Sequence, residues 1–191
     1  FETWFERLVS ASGYKKPVVV ASQGIPFHKM MEPQISSEPV PDPHVWNNVQ
    51  HVITWVYNIK KALQDLDPKN SSTYEENAAL YLKELKKLDL WIKAQFKNIP
   101  KESCKVITAH DAFNYFGKEF QFNVVGLQGL STATEAGVQD VQRLASFIEE
   151  KNVKAIFVES SVPKRTVEAL QEAVRAKGKE VMIGGTLYSD A

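Results

Sequence analysis

Apolar residues recur at three- and four-residue steps in some stretches and run unbroken in others, and this contrast divides the chain. Trp4, Phe5, Leu8 and Val9 form one face of a helix over residues 2–12, stopped by Gly13, a residue type favoured just past a helix end. Pro17-Val18-Val19-Val20-Ala21 is continuously apolar, the pattern of a strand buried on both faces of a parallel sheet. Residues 22–41 carry Gly24, Pro26, Pro33, Pro39 and Pro41 and no period, which predicts a long irregular loop of the kind that is functional or moves.

Asp42-Pro43-His44 predicts a helix start, with Asp42 capping free backbone N–H groups and Pro43 at the first helical position, where it gives up no hydrogen bond. His44 then sits in the first turn, beside a loop. Trp46, Val49, Ile53, Val56 and Leu63 carry the stripe to about Leu66. Pro68 interrupts it, and Ser72-Thr73-Tyr74-Glu75 has the form of a capping box. From there a helix is expected to about Asn98, with Tyr74, Ala78, Tyr81, Leu85, Leu88, Ile92 and Phe96 at alternating three- and four-residue steps. About 25 residues at 1.5 Å each span roughly 37 Å. Such a stripe could serve a coiled-coil seam, but its place between two α/β segments favours a connector packed against both.

After Pro100 the pattern is regular. Strands are expected at 105–109, 123–127, 154–158 and 180–183, alternating with helices at 111–120, 134–151 and 163–177. That alternation predicts βαβ crossovers, a parallel sheet and the α/β class.

Composition narrows the function classes. Lys plus Arg and Asp plus Glu are 23 each in 191 residues, a balance with no nucleic-acid surface or polybasic membrane patch. No apolar run approaches the roughly 20 residues that cross a bilayer. The single cysteine, Cys104, forms no internal disulfide and is expected as a buried small residue at the start of a strand. It leaves the compartment open. Phe1 opens in mid-pattern and Ala191 follows an acidic loop residue, so the chain reads as a fragment cut at both ends.

Chemistry-bearing side chains gather at strand ends and loop borders: His44, His110, Glu159 and Asp190. Two imidazoles and a carboxylate suit zinc, manganese or iron better than copper(I), which favours thiolate or thioether. Spacing alone leaves two readings open, since a histidine at a strand end also serves as a hydrogen-bonded structural residue. His28 reads as a solvated loop residue, His51 as a helix-surface residue and Met30-Met31 as local packing. Gly184-Gly185 lacks the G-x-G-x-x-G spacing of a phosphate loop, and Ser160-Ser161 lacks a nucleophile elbow.

Several motifs in order carry a resemblance. They are Asp42-Pro43-His44-Val45-Trp46, Thr108-Ala109-His110-Asp111-Ala112-Phe113-Asn114-Tyr115-Phe116, Ala155-Ile156-Phe157-Val158-Glu159-Ser160-Ser161 and Gly184-Gly185-Thr186-Leu187-Tyr188-Ser189-Asp190-Ala191. Together they resemble the metal-specific solute-binding proteins of bacterial ABC importers, the zinc/manganese/iron family (solute-binding protein family 9). Gly24-Ile25 and the helix at Phe1–Leu8 also fit, so the likeness covers essentially the whole chain.

The resemblance implies two parallel-sheet α/β lobes joined by a single long rigid helix, the amino-terminal lobe incomplete. The units are residues 1–71, a partial amino-terminal lobe; 72–98, the linking helix; and 99–191, the carboxyl-terminal lobe. It implies one divalent transition metal (manganese, zinc or iron) per chain, held by His44 from the first lobe and by His110 and Asp190 from the second. A further histidine ligand is expected from a segment before Phe1. Glu159 matches an acidic position near the cleft and is expected to orient a ligand histidine, with direct ligation as the alternative. His110 stands where some manganese-binding relatives carry glutamate, and the His-rich acidic loop of many dedicated zinc members is absent, since residues 22–41 hold only His28. Manganese, iron or mixed specificity therefore stays open beside zinc.

The function implied is extracytoplasmic capture of the metal and delivery to an ABC permease, by a monomer that is not an enzyme and binds no nucleic acid. It would be periplasmic or otherwise extracytoplasmic, with a signal peptide in its precursor and a lipid anchor left open. Two rivals use the same residues: a zinc-dependent hydrolase with Glu159 as general base, and a surface adhesin with a structural metal.

Overall fold

The computed structural model describes residues 4–30, 36–129 and 136–190. Helix α1 (Phe5–Ala11) lies first. A two-residue antiparallel ribbon follows, β1 (Lys29–Met30) with β2 (Val40–Pro41). Residues 17–21, expected as a strand, pair with no strand among the described residues. Val18, Val19 and Val20 are 50%, 46% and 58% exposed. An apolar run of this kind forms a strand only between neighbours that bury both of its faces.

Asp42 and Pro43 do not open the next helix. His44 leads into a single 3-10 turn, Val45–Asn47, and α2 (Val49–Leu66) starts after it. The cap is Asn48, whose side chain accepts from the Gln50 backbone N–H at 2.8 Å. The long helix α3 (Ser71–Phe96) packs antiparallel on α2. The expected capping box does not form: Ser72 lies inside the helix, and Glu75 instead takes Lys60 of α2 at 3.0 Å. At its far end Phe96 meets Phe116, Phe120 and Phe122 with ring centroids 5.7, 5.6 and 4.9 Å away. Edge-on aromatic contacts of this kind add about 0.5–1.5 kcal/mol each beyond area burial, so α3 is anchored to the following lobe.

That lobe is a four-stranded parallel sheet in the order β4-β3-β5-β6. The strands are β3 (Lys105–His110), β4 (Asn123–Gln128), β5 (Ala155–Glu159) and β6 (Met182–Leu187). The helices between them are α4 (Asn114–Phe120), α5 (Val138–Lys151) and α6 (Lys164–Ala176). The expected start of α5 at Thr134 lies outside the described residues. Ile107, Leu127, Leu144, Ile148, Ile156, Leu170 and Val174 fill the core. Cys104 is half-buried just before β3, not buried as expected. The last strand runs later than its pattern implied and takes Gly184 into the sheet, where a Cβ would stand 2.5 Å from the Phe157 ring. The class is α/β, with a parallel sheet and one long helix.

From β3 the chain moves outward to β4, then crosses back to place β5 on the other side of β3. Connections therefore leave β3 and β5 in opposite directions. The crevice beyond their carboxyl ends is where open α/β sheets bind ligands.

Candidate metal centre

His110 ends β3 and Glu159 ends β5, on either side of that crevice. The register pairs Ile107 with Ile156, and the same offset brings His110 beside Glu159. Glu159 Oε1 accepts from the His110 backbone N–H at 2.9 Å, and Oε2 lies 2.6 Å from His110 Nδ1. So short an approach requires a proton between the two atoms, which assigns it to Nδ1. The opposite nitrogen, Nε2, is buried and faces Asp190 Oδ2 at 3.3 Å.

Burial opposes a charge on His110, but the Glu159 contact, helped by Asp190 and Asp111, outweighs it and raises the histidine above its ordinary value. Burial likewise pushes Glu159 up, while bonds from His110 and Ser189 bring it below the usual carboxylate range. Both Glu159 oxygens face His110, so this carboxylate is occupied in positioning and is not presented to a water on the Nε2 side.

The turn after β2 repeats the device. Asp42 is fully buried, and its Oδ1 accepts from the His44 backbone N–H at 3.0 Å while lying 2.8 Å from His44 Nδ1. Its Oδ2 accepts from Asn114 Nδ2 at 3.2 Å, and its carbonyl accepts from the Tyr115 hydroxyl at 2.8 Å. Asp42 thus makes an Asx-type turn that fixes both the backbone and the ring of His44. A histidine bound at one nitrogen by a carboxylate presents the other as a metal-binding lone pair.

Asp190 follows β6 and completes the cluster. Its Oδ1 lies 3.6 Å from His44 Nε2 and its Oδ2 lies 3.3 Å from His110 Nε2. One ligand atom from each of the three residues lies within 4.8 Å of the others. Around a four-coordinate ion with bonds of about 2.1 Å, neighbouring ligand atoms stand roughly 3.4 Å apart, so the spacing fits a transition metal. The histidine rings are buried and the Asp190 side chain is 30% exposed, which leaves Asp190 on the open side.

The family model described as zinc-uptake complex component A, periplasmic (ZnuA), matches residues 1–191. The chain belongs to the ZnuA family. It is 39% identical over 186 residues to the manganese-binding lipoprotein MntA of Bacillus subtilis, covering 97% of this chain and 60% of that one. It is 41% identical over 177 residues to the zinc-binding protein TroA of Treponema pallidum, covering 91% and 56%. The solved structure of periplasmic TroA superposes with a TM-score of 0.88 at 39% identity, covering 100% of this chain and 68% of that one. The chain therefore spans about three-fifths of the length of the curated relatives it matches. A further relative, PsaA of Streptococcus pneumoniae, 30% identical over 191 residues and covering 98% of this chain and 59% of that one, is a manganese ABC transporter substrate-binding lipoprotein.

In this ZnuA-family chain the other sequence candidates stand apart from the cluster. His28 packs edge-on against Tyr115 at 4.4 Å, and its backbone N–H donates to the Tyr115 hydroxyl. His51 Nδ1 lies 3.1 Å from the Val45 carbonyl, so the ring supports the turn rather than the helix surface. Met30 touches Asn114, while Met31 lies outside the described residues. Ser161 Oγ bonds Ser189 Oγ at 2.9 Å. The residue that sequence reasoning misplaced is Asp42, since D-P-H suits a helix cap and an Asx turn equally.

Proposed function

We propose that this chain is the metal-holding part of an extracytoplasmic solute-binding protein that captures one divalent transition metal and hands it to an ABC permease. His44, His110 and Asp190 are its ligands, Glu159 and Asp42 hold the two rings, and residues 1–71, 72–98 and 99–191 are its partial first lobe, linking helix and second lobe. One observation carries this reading: two histidines, each tied at Nδ1 to a buried carboxylate, turn Nε2 toward the same carboxylate of Asp190.

The cargo is manganese, zinc or iron, the metals named for relatives such as MntA, TroA and the iron-binding protein YfeA of Yersinia pestis. Two imidazoles and a carboxylate suit all three, and geometry and availability decide among them. A further histidine ligand from elsewhere in the whole protein would close the coordination sphere and favour carriage over turnover. No helix among the described residues is long and apolar enough to cross a membrane.

The test is metal titration of the intact protein, purified free of metal, with manganese, zinc and iron(II) in competition. His110→Ala is expected to weaken binding by at least about 100-fold, since it removes a ligand outright. Unchanged affinity would remove His110 from the site. Metal-dependent association with membranes carrying the permease tests delivery.

A further inference from the structure

The ligand-bearing segments are tied to one another by bonds that involve no ligand atom. Asn47 follows His44 by one 3-10 turn. Its Nδ2 donates to the Ala112 carbonyl at 2.9 Å and to the Ser189 carbonyl at 3.4 Å. Ala112 lies two residues after His110, and Ser189 immediately precedes Asp190. A second donor, Trp46 Nε1, reaches the same Ser189 carbonyl. An amide nitrogen carries two hydrogens and a carbonyl oxygen two lone pairs, so both groups are fully used. Ala112 and Ser189 are buried, at 0% and 1% exposure, which keeps water from replacing these bonds.

The amide orientation is fixed by chemistry. Turned over, Asn47 would set its own oxygen against two carbonyls. Ser189 is also held from below, by Ser161 and Glu159 through its hydroxyl, so the residue before Asp190 is gripped from both lobes. Within the cluster, Asp190 is the ligand that stands beyond its strand end with a partly exposed side chain, and so the one most in need of such support.

We infer that Asn47, assisted by Trp46, is the positioning residue of the metal centre: it sets the spacing of His44, His110 and Asp190 before metal arrives and governs how readily Asp190 lets go. This inference rests on the proposed function, and its test separates the two. Metal binding by the wild-type intact protein tests the function; the behaviour of variants that keep all three ligands tests Asn47. A preorganised site loses metal slowly because release requires the Ser189 clamp to open.

The experiment compares wild type, Asn47→Ala, Asn47→Asp and Trp46→Phe in the intact protein. Zinc and manganese release is followed by stopped-flow chelator competition, and the cobalt(II) visible spectrum reports coordination geometry. Asn58→Ala serves as the control. Its amide also bridges two carbonyls, those of Ala21 and Gln23, away from the site. Asn47→Ala is expected to release metal of the order of tenfold faster, with altered cobalt bands. Trp46→Phe should fall between it and wild type, and Asn58→Ala should match wild type. In the metal-free protein the Trp46 indole N–H should already be protected from hydrogen exchange, because its bond needs no metal. Wild-type release rates and cobalt bands in Asn47→Ala and Trp46→Phe would overturn the inference. So would equal acceleration by Asn58→Ala, or an unprotected Trp46 indole in the metal-free state. If Asn47→Asp fails to fold, the other two variants decide.

Discussion

Replacing Glu159 by glutamine changes one atom and no shape, yet it removes the only arrangement that satisfies both of its contacts to His110. In the wild type one oxygen accepts from the His110 backbone N–H at 2.9 Å and the other faces Nδ1 at 2.6 Å. A glutamine has one acceptor oxygen. If that oxygen keeps the backbone N–H, the amide NH₂ faces Nδ1 and forces it to become an acceptor. The ring proton then moves to Nε2, where the metal should bind. If the amide turns over, two donors meet at the buried backbone N–H instead. Loss of such an orienting partner costs about 10- to 100-fold in metal affinity, or about 1.4 to 2.7 kcal/mol. The pH profile should move in the opposite sense. Wild-type His110 is raised above 6.5, so protons compete with metal above that pH. Without Glu159, burial, already the largest influence, is opposed only by Asp190 and Asp111, so the histidine falls from its raised value and competition ends at a lower pH. Zinc affinity of Glu159→Gln, measured by chelator competition between about pH 5 and about pH 8, should be weakest relative to wild type at the alkaline end. The deficit should narrow on acidification. Wild-type affinity at the alkaline end, or two parallel profiles, would refute the tautomer argument.

Asp42→Asn should be milder, costing under about tenfold. A single oxygen of Asp42 serves both His44 contacts, so an asparagine oxygen can keep them, and the loss falls on the bond from Asn114. The same competition assay checks it; a loss equal to that of Glu159→Gln would contradict the difference in geometry. In metal-free protein the His110–Glu159 pair should stabilise the fold most between pH 4.5 and 6.5. The raised histidine contributes fully below 6.5 and fades as pH climbs through its folded value; the lowered glutamate contributes above 4.5 and fades as pH falls through its own. Calorimetry with chelator present should therefore show the stability advantage of wild type over Glu159→Gln shrinking above pH 6.5. An advantage that grows there would reverse the sign.

What the sequence makes legible follows from locality. Strand ends are readable because a run such as Val106-Ile107-Thr108 is apolar and β-branched, so His110 could be placed before any partner was known. The fold class follows from the alternation of strand and helix patterns, whereas the roles expected of His44, Glu159 and Asp190 come from the resemblance that their motifs carry. Features decided by distant contacts were not readable. Asp42 becomes an Asx turn because Tyr115 and Asn114 of α4 claim its remaining oxygens. Glu75 leaves its capping box because Lys60 of α2 reaches it. Residues 17–21 read as a strand because the pattern reports apolar character but not the presence of neighbours. The partners of Asn47 lie 65 and 142 residues away, beyond any local pattern.

The sheet register is itself part of the site. His110 meets Glu159 because β3 and β5 pair with Ile107 opposite Ile156, and Glu159 in turn pairs with Leu187 of β6, three residues before Asp190. A slip of one residue in β5 would turn Glu159 to the other face of the sheet and bring Ser160 beside His110. The buried histidine would then lose the carboxylate that fixes its tautomer. Core residues remote from the three candidate ligands thus act on them: Ile156 and Val158, at 1% and 4% exposure, lock β5 against a slip because either direction would put their side chains on the wrong face. Gly126 contributes on the other side of β3. A Cβ there would stand 2.6 Å from the Asp111 backbone nitrogen, so the glycine lets the chain turn tightly just after His110. The precision of the three ligand atoms is therefore a property of the packed sheet as much as of the residues that would touch the metal.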